Sequence, residues 1–156
     1  MKLFTNFSAK ILLLTLIAGL LTLSACKNPA SSEEEEHENA VGAILITNGQ
    51  EIVRIEEGRV VSGQIEVAAG EETTLISIYF LADDGDEFQP DEPDYSLRWS
   101  DIDTSIADVE QHAEDGKWGF HIHGEAQGNT SVVLRLWHDG EGHSDFDTPS
   151  IPVIVN

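Results

Sequence analysis

Histidines are the residues of this chain whose type and spacing most directly suggest chemistry. Six occur in the sequence, and five of them lie in one stretch, residues 112–143. Neutral imidazole is the commonest side-chain ligand of metal ions, and three or four imidazoles, with or without a carboxylate, suit zinc or copper. The predicted ligands of such an ion are His121, His123, His138 and His143, with Asp145 as an extra ligand.

The first two candidates lie two residues apart in a β-prone run, 118–125. Alternate residues of a strand point to the same face, about 7 Å apart. If Phe120 and Ile122 enter the core, the imidazoles of His121 and His123 both project from the opposite face, where one ion could reach both. A polar strand face that is inert, or that faces a partner, is the alternative interpretation.

The next β-prone run, 130–137, is predicted to form a hairpin with this strand across the turn 126–129. Matching the core positions puts Ile122 opposite Leu134. This register carries His138 to the far end of the hairpin, near His121, where a bulge at Trp137-His138 would turn it out of the core. The loop Asp139-Gly140-Glu141-Gly142 follows and leads to His143, with Asp145 two residues further on.

The run Gly119-Phe120-His121-Ile122-His123 resembles the Gly-Phe-His-Val-His copper strand of copper/zinc superoxide dismutases. The resemblance implies a copper-dependent redox enzyme, with His138 where a bridging histidine is expected. The chain departs from that family in two ways. Only 13 residues follow His143, so the later strands are missing, and a single cysteine cannot form the family disulfide.

Other catalytic signatures are missing from the sequence. There is no Gly-x-Ser-x-Gly elbow, no His-Glu-x-x-His motif and no glycine-rich phosphate loop, so we expect neither an enzyme nor an organic cofactor. Carboxylates concentrate in two segments, 83–87 and 91–94, and carboxylate oxygens are calcium ligands. Their spacing does not match an EF-hand, which leaves a solvated turn between strands as the alternative to a calcium loop.

The elements that must position these residues are short strands. From residue 42 onward, apolar runs alternate with turn residues, and Asn48-Gly49 is a strong signal for a two-residue hairpin turn. No stretch has an apolar 3.6-residue repeat long enough for a helix. Seven or more strands with regular turns predict one all-β antiparallel sandwich over 42–156. The β-prone runs are 43–47, 51–56, 64–67, 73–81, 96–99, 106–109, 118–125, 130–137 and 151–155.

Three short motifs support an immunoglobulin-like form of this sandwich. They are Leu97-Arg98-Trp99-Ser100, the run Asp103-Thr104-Ser105-Ile106-Ala107-Asp108-Val109, and Gly124-Glu125-Ala126-Gln127-Gly128-Asn129-Thr130. They resemble the second half of bacterial Ig-like domains, in which a Trp-Ser strand end precedes an Ile/Val-Ala-x-Val strand and a Gly-x-x-x-Gly-x-Thr turn. The resemblance covers about residues 95–133 and implies an adhesive or structural module.

The N-terminus has the pattern of a secretory signal. Lys2 and Lys10 precede an apolar run, 11–23, and small residues then lead into Cys26, the only cysteine. A transmembrane helix is the alternative, but it needs about 20 apolar residues. The sequence Leu23-Ser24-Ala25-Cys26 resembles the lipobox of bacterial lipoproteins, which implies cleavage after residue 25 and lipid on the cysteine.

The mature chain is predicted to be strongly acidic. Removing residues 1–25 takes away two of the eight basic residues and none of the 29 acidic ones, which leaves a formal charge of −23. Such a surface repels nucleic-acid phosphates and anionic lipid headgroups, so we exclude nucleic-acid binding and assign membrane attachment to the lipid. Residues 26–41 carry a glutamate run and no apolar periodicity, which predicts a flexible acidic tether.

These observations predict a lipid-anchored module of the cell envelope, on the periplasmic or surface face of an outer membrane. We expect it to be non-catalytic and to bind zinc or copper through its histidines. The alternative is an adhesive or structural module without metal, whose partner is another envelope protein. A dismutase-like metalloenzyme ranks third.

Overall fold

A computed structural model describes residues 39–156, and β-strands are the only regular elements of this part of the chain. Alternating burial along the strands explains their formation, because each strand turns one set of side chains into the core. The strands are β1 (Gly42–Thr47), β2 (Gln50–Glu56), β3 (Arg59–Gly63), β4 (Ile65–Val67), β5 (Ile76–Leu81), β6 (Glu87–Phe88), β7 (Tyr95–Ser100), β8 (Ala107–Glu110), β9 (Gly119–Gly124), β10 (Gly128–His138), β11 (His143–Asp147) and β12 (Ile151–Val155).

The first sheet contains seven strands in the order β3-β2-β1-β5-β9-β8, with β6 paired to β5. The turn between β1 and β2 is formed by Asn48 and Gly49, which have φ angles of 52° and 74°. Both residues are therefore in the left-handed region that a type I′ hairpin turn requires. The hairpin predicted from this dipeptide is confirmed.

The second sheet contains β11, β10, β12 and β4, and β7 also pairs with β10. Its central strand is β10, whose 11 residues are shared between neighbours. Residues 128–132 pair with β12 and residues 133–138 pair with β7. The pairing of β12 with β4 is parallel, and the other pairings of the described strands are antiparallel.

The core contains side chains from both sheets. The ring of Phe80 on β5 meets the ring of Phe146 on β11 edge to face, with centroids 6.1 Å apart. It also meets the ring of Trp118, at 5.4 Å. The all-β sandwich predicted from the sequence is confirmed. Twelve of the largest side chains are completely buried: Phe80, Phe120, Ile44, Leu45, Ile55, Ile65, Ile76, Ile78, Ile122, Leu134, Leu136 and Ile151.

The predicted hairpin between β9 and β10 is wrong. β9 pairs with β8 and β5 in the first sheet, whereas β10 lies in the second sheet. The short link between them changes sheets, and the amides of Glu125 and Ala126 both donate to the carbonyl of Ile106. Ile122 and Leu134 are therefore both buried, but they belong to different sheets. Burial alone could not reveal this, because side chains on the facing sheets of a sandwich alternate with the same period as side chains paired within one sheet.

Strands β3, β6 and β11 were not predicted. β11 consists of residues 143–147 and is mostly polar, so its sequence lacks the apolar and β-branched residues that mark a strand. It forms because its backbone pairs with the end of β10, and only Phe146 of this strand packs against the core. Its histidine was expected in a loop and lies instead at the start of a strand.

The predicted signal peptide 1–25, the predicted lipid attachment site Cys26 and most of the predicted tether lie outside the described residues. Within residues 39–156, there is no helix of the length and apolarity needed to cross a membrane.

The burial along β9 and β12 predicts a contrast between two isoleucines. Ile122 is completely buried, whereas Ile154 on β12 is half-buried. Ile122→Ala should lower the free energy of unfolding by about 2–5 kcal/mol because it leaves a cavity. Ile154→Ala should cost less than about 1.5 kcal/mol. Denaturant unfolding measures both, and equal losses would contradict the burial described here.

Candidate metal sites

Two of the predicted ligands meet at the closed end of the β10–β11 hairpin. His138 ends β10, His143 begins β11, and the two residues are directly paired. The turn between them ends at Gly142, whose φ of 74° is in the left-handed region and whose amide donates to the carbonyl of His138. Pairing across the hairpin brings the two imidazole rings to a centroid distance of 5.9 Å.

Asp145 completes this group, and we call His138, His143 and Asp145 the hairpin cluster. One ligand atom from each residue lies within 4.8 Å of the other two. Nε2 of His143 is 2.9 Å from Oδ1 of Asp145, and Nδ1 of His138 is 3.9 Å from Oδ2. Two ligand atoms bound to one tetrahedral zinc ion are about 3.3 Å apart. Small side-chain rotations would therefore bring these atoms to one ion.

A further carboxylate and a phenol hold the hairpin cluster in place. Nε2 of His138 lies 3.0 Å from Oδ2 of Asp94, which fixes the proton of the neutral imidazole on Nε2 and leaves the Nδ1 lone pair on the side of Asp145. The hydroxyl of Tyr95 donates to Oδ2 of Asp145 at 2.8 Å. The ring of Tyr95 stacks on the ring of His138 at 4.6 Å. This is the arrangement in which a carboxylate orients a metal-binding histidine.

The electrostatics of the hairpin cluster favour a cation. The hydrogen bond to Asp94 raises the pKa of His138 against the effect of burial, and the nearby carboxylates of Glu141 and Asp145 add to it. Burial, with help from Asp145, raises the pKa of the Tyr95 phenol, which therefore remains a hydrogen-bond donor. Oε2 of Glu141 lies 4.0 Å from Nδ1 of His138. A bound proton or a metal ion would relieve this concentration of negative charge.

A second group lies beside β9, and we call Glu72, His112 and His121 the β9 cluster. Oε1 of Glu72 is 3.1 Å from Nδ1 of His121 and 3.2 Å from Nε2 of His112. The two imidazole rings have centroids 5.2 Å apart. Neither His112 nor Glu72 was predicted as a ligand. Glu72 precedes β5 and reaches β9 only through the fold, where it forms an isolated bridge with His123.

Both ring nitrogens of His121 face an acceptor. Nδ1 is 2.8 Å from the carbonyl of Thr73, and Nε2 is 3.3 Å from Oδ1 of Asp115. Burial opposes protonation of this ring, but the Thr73 carbonyl and the carboxylates of Asp115 and Glu72 outweigh it, and the pKa of His121 is raised. The amide of His112 donates to Asp115, and this hydrogen bond lowers the pKa of the aspartate. These acceptors therefore favour the charged form of His121.

The four predicted histidines therefore do not form one group. His121 belongs to the β9 cluster, and His138 and His143 belong to the hairpin cluster. His123 belongs to neither, and Oε1 of Glu125 lies 3.8 Å from its Nε2. The separation follows from the change of sheet between β9 and β10. Asp145, predicted as an extra ligand, lies beside His138 and His143.

The acidic segment 83–87 forms a turn between β5 and β6. Oδ1 of Asp84 accepts a hydrogen bond from the amide of Asp86 at 3.0 Å, as in a solvated Asx turn. Among the described residues, the groups with converging ligand atoms are the hairpin and β9 clusters, and this turn is in neither. The neighbouring segment 91–94 contributes through Asp94, which supports His138.

Comparison with known proteins adds little to this geometry. No known protein family matches the chain, and no curated protein matches it. The chain is similar to a solved structure of domains 4 and 5 of the S-layer protein SbsC, with 18% sequence identity and a TM-score of 0.42. The match covers 72% of this chain and 53% of the S-layer structure, so the chain spans about half the length of that protein fragment.

The raised pKa of His121 predicts how stability depends on pH in the chelator-treated protein. The folded state holds the imidazolium more tightly than the unfolded chain does. This contribution is therefore complete below about pH 6.5, the ordinary pKa of histidine, and it disappears as the pH rises through the raised pKa. The midpoint of thermal unfolding should be higher for the parent than for His121→Gln in acid, and the gap should narrow toward alkaline pH. A gap that widens with pH would contradict the assignment.

Proposed function

We propose that this chain is a lipid-anchored, non-catalytic β-sandwich module of the cell envelope that binds a zinc or copper ion. The ligands are His138, His143 and Asp145. The observation that carries the proposal is the orientation of His138: Asp94 holds its Nε2 at 3.0 Å, and its Nδ1 faces the aspartate and the second histidine. A donor set of two imidazoles and one carboxylate binds zinc or copper in preference to calcium or magnesium.

The surroundings of the hairpin cluster support binding in exchange with solvent. The side chain of His143 is 53% exposed, whereas that of His138 is 14% exposed. One ligand is therefore fixed in the protein and another can move to admit the ion. A site of this kind suits capture or delivery of a metal.

The non-catalytic role rests on the sequence, which has no Gly-x-Ser-x-Gly elbow, no His-Glu-x-x-His motif and no glycine-rich phosphate loop. Two cavities of the described residues have volumes of about 300 and 260 Å³, and neither is lined by a residue of the hairpin cluster.

The envelope location rests on the N-terminal sequence. An apolar run of signal-peptide length ends at the lipobox-like Leu23-Ser24-Ala25-Cys26. The formal charge of −23 after cleavage repels anionic headgroups, so lipid on Cys26 is the attachment that such a chain needs. A glutamate-rich tether would hold the domain away from the membrane.

Metal titration of the detergent-solubilised chain tests the metal site. After removal of metal with a chelator, the variant His138→Gln/His143→Gln should bind one zinc ion fewer per chain than the parent, because it lacks both imidazole ligands. Asp94→Asn should keep the stoichiometry and weaken this site by about 10–100-fold, because it removes the carboxylate that orients His138. Isothermal titration calorimetry with zinc, and then with copper, measures both quantities.

The matched control is His123→Gln, which removes a histidine that belongs to neither cluster. It should leave both stoichiometry and affinity unchanged. If the double variant binds as many ions as the parent, the hairpin cluster is not a metal site, and the module without metal becomes the better account.

Lipid attachment is tested by replacing the one cysteine. Cys26→Ser should abolish incorporation of a radiolabelled fatty acid and move the chain from the membrane to the soluble fraction of its bacterial host. The acidic domain offers no other attraction to the membrane. Ser31→Ala, in the predicted tether, is the control and should be labelled like the parent. A Cys26→Ser chain that is still labelled would contradict the lipobox assignment.

A further inference from the structure

The β9 cluster brings together side chains from three separate segments of the chain. Glu72 precedes β5, His112 follows β8, and His121 lies within β9. Their ligand atoms are closely spaced, since Oε1 of Glu72 is 3.1 Å from one imidazole nitrogen and 3.2 Å from the other. These separations match the distance of about 3.3 Å between two ligands of one tetrahedral ion.

A buried carboxylate behind the cluster orients His121. The side chain of Asp115 is only 6% exposed, and its Oδ1 lies 3.3 Å from Nε2 of His121. Oδ2 of Asp115 accepts a hydrogen bond from the backbone amide of His112, with 2.5 Å between nitrogen and oxygen. Asp115 is therefore fixed by the backbone and holds Nε2. This leaves Nδ1 of His121 hydrogen-bonded to the Thr73 carbonyl and 3.1 Å from Oε1 of Glu72. Asp94 does the same for His138 in the hairpin cluster, although the two sites share no residue.

We propose that Glu72, His112 and His121 form a second transition-metal site, independent of the hairpin cluster. The ligand atoms are Oε1 of Glu72, Nε2 of His112 and Nδ1 of His121. When the ion binds, the proton that Nδ1 of His121 donates to the Thr73 carbonyl at 2.8 Å leaves to solvent, and so does the proton that Nε2 of His112 donates to Glu72. The proton on Nε2 of His121 stays on the ring and is donated to Asp115.

The β9 cluster is accessible to an ion from solvent. The side chains of His112 and Glu72 are 42% and 36% exposed. Oε2 of Glu110 lies 3.9 Å from Nε2 of His112 and adds negative charge at the entrance. Two imidazoles and one carboxylate leave a fourth position for water, and this donor set suits zinc or copper.

Zinc stoichiometry of the solubilised full chain tests the second site. The parent should bind two zinc ions per chain, His112→Gln should bind one, and His138→Gln/His143→Gln should also bind one. Combining the three substitutions should abolish binding. His123→Gln is again the control and should bind two. Glu72→Gln, which changes an exposed side chain and keeps its size, should weaken the second site more than tenfold and verifies the result if His112→Gln misfolds.

The outcomes separate this inference from the proposed function. If His112→Gln and Glu72→Gln bind zinc as the parent does, the second site does not exist, whatever the hairpin cluster does. If binding is lost with His112→Gln but is unchanged in the hairpin double variant, the second site stands and the hairpin site fails.

Discussion

The hydrogen bond between Nε2 of His138 and Asp94 is the interaction on which the functional account depends. In a neutral imidazole one nitrogen carries the proton and the other carries a free lone pair. The hydrogen-bond partner of the ring determines which nitrogen is protonated. Oδ2 of Asp94 lies 3.0 Å from Nε2 of His138, so Nε2 carries the proton and the lone pair of Nδ1 faces the hairpin. The sandwich supplies this partner by pairing β7 with the end of β10, where Tyr95 lies directly opposite His138.

The change of sheet after β9 determines how the histidines are distributed. A hairpin between β9 and β10 would have placed the histidines on neighbouring strands of one sheet. Instead, the link at Glu125 and Ala126 is bound by the carbonyl of Ile106 and carries the chain to the opposite sheet. The outcome is two small groups, and each brings two imidazoles close to one carboxylate, with a further carboxylate behind them. The repetition of this arrangement on two sheets is what suggests binding of more than one ion.

Local patterns predicted the strands because alternation and turn chemistry act over a few residues. Asn48-Gly49 identified its hairpin, and the run 151–155 identified β12 with its bounds. Pairing between strands that are distant in sequence leaves no comparable local pattern. Nothing in the spacing of Glu72 or Asp94 connects them to a histidine, because the contacts form only when β5 meets β9 and β7 meets β10. His143 and Asp145 were predicted as ligands and lie close to His138, although their strand is too polar to be recognised from sequence.

The central claim is that His138, His143 and Asp145 bind one transition-metal ion. The most direct measurement is a crystal structure of the chain grown with zinc, with anomalous diffraction recorded on both sides of the zinc absorption edge. The account predicts an anomalous peak at about 2.0–2.2 Å from Nδ1 of His138, a nitrogen of His143 and an oxygen of Asp145. A map with no peak at the β10–β11 hairpin, in crystals where this hairpin is ordered and free of lattice contacts, would contradict it.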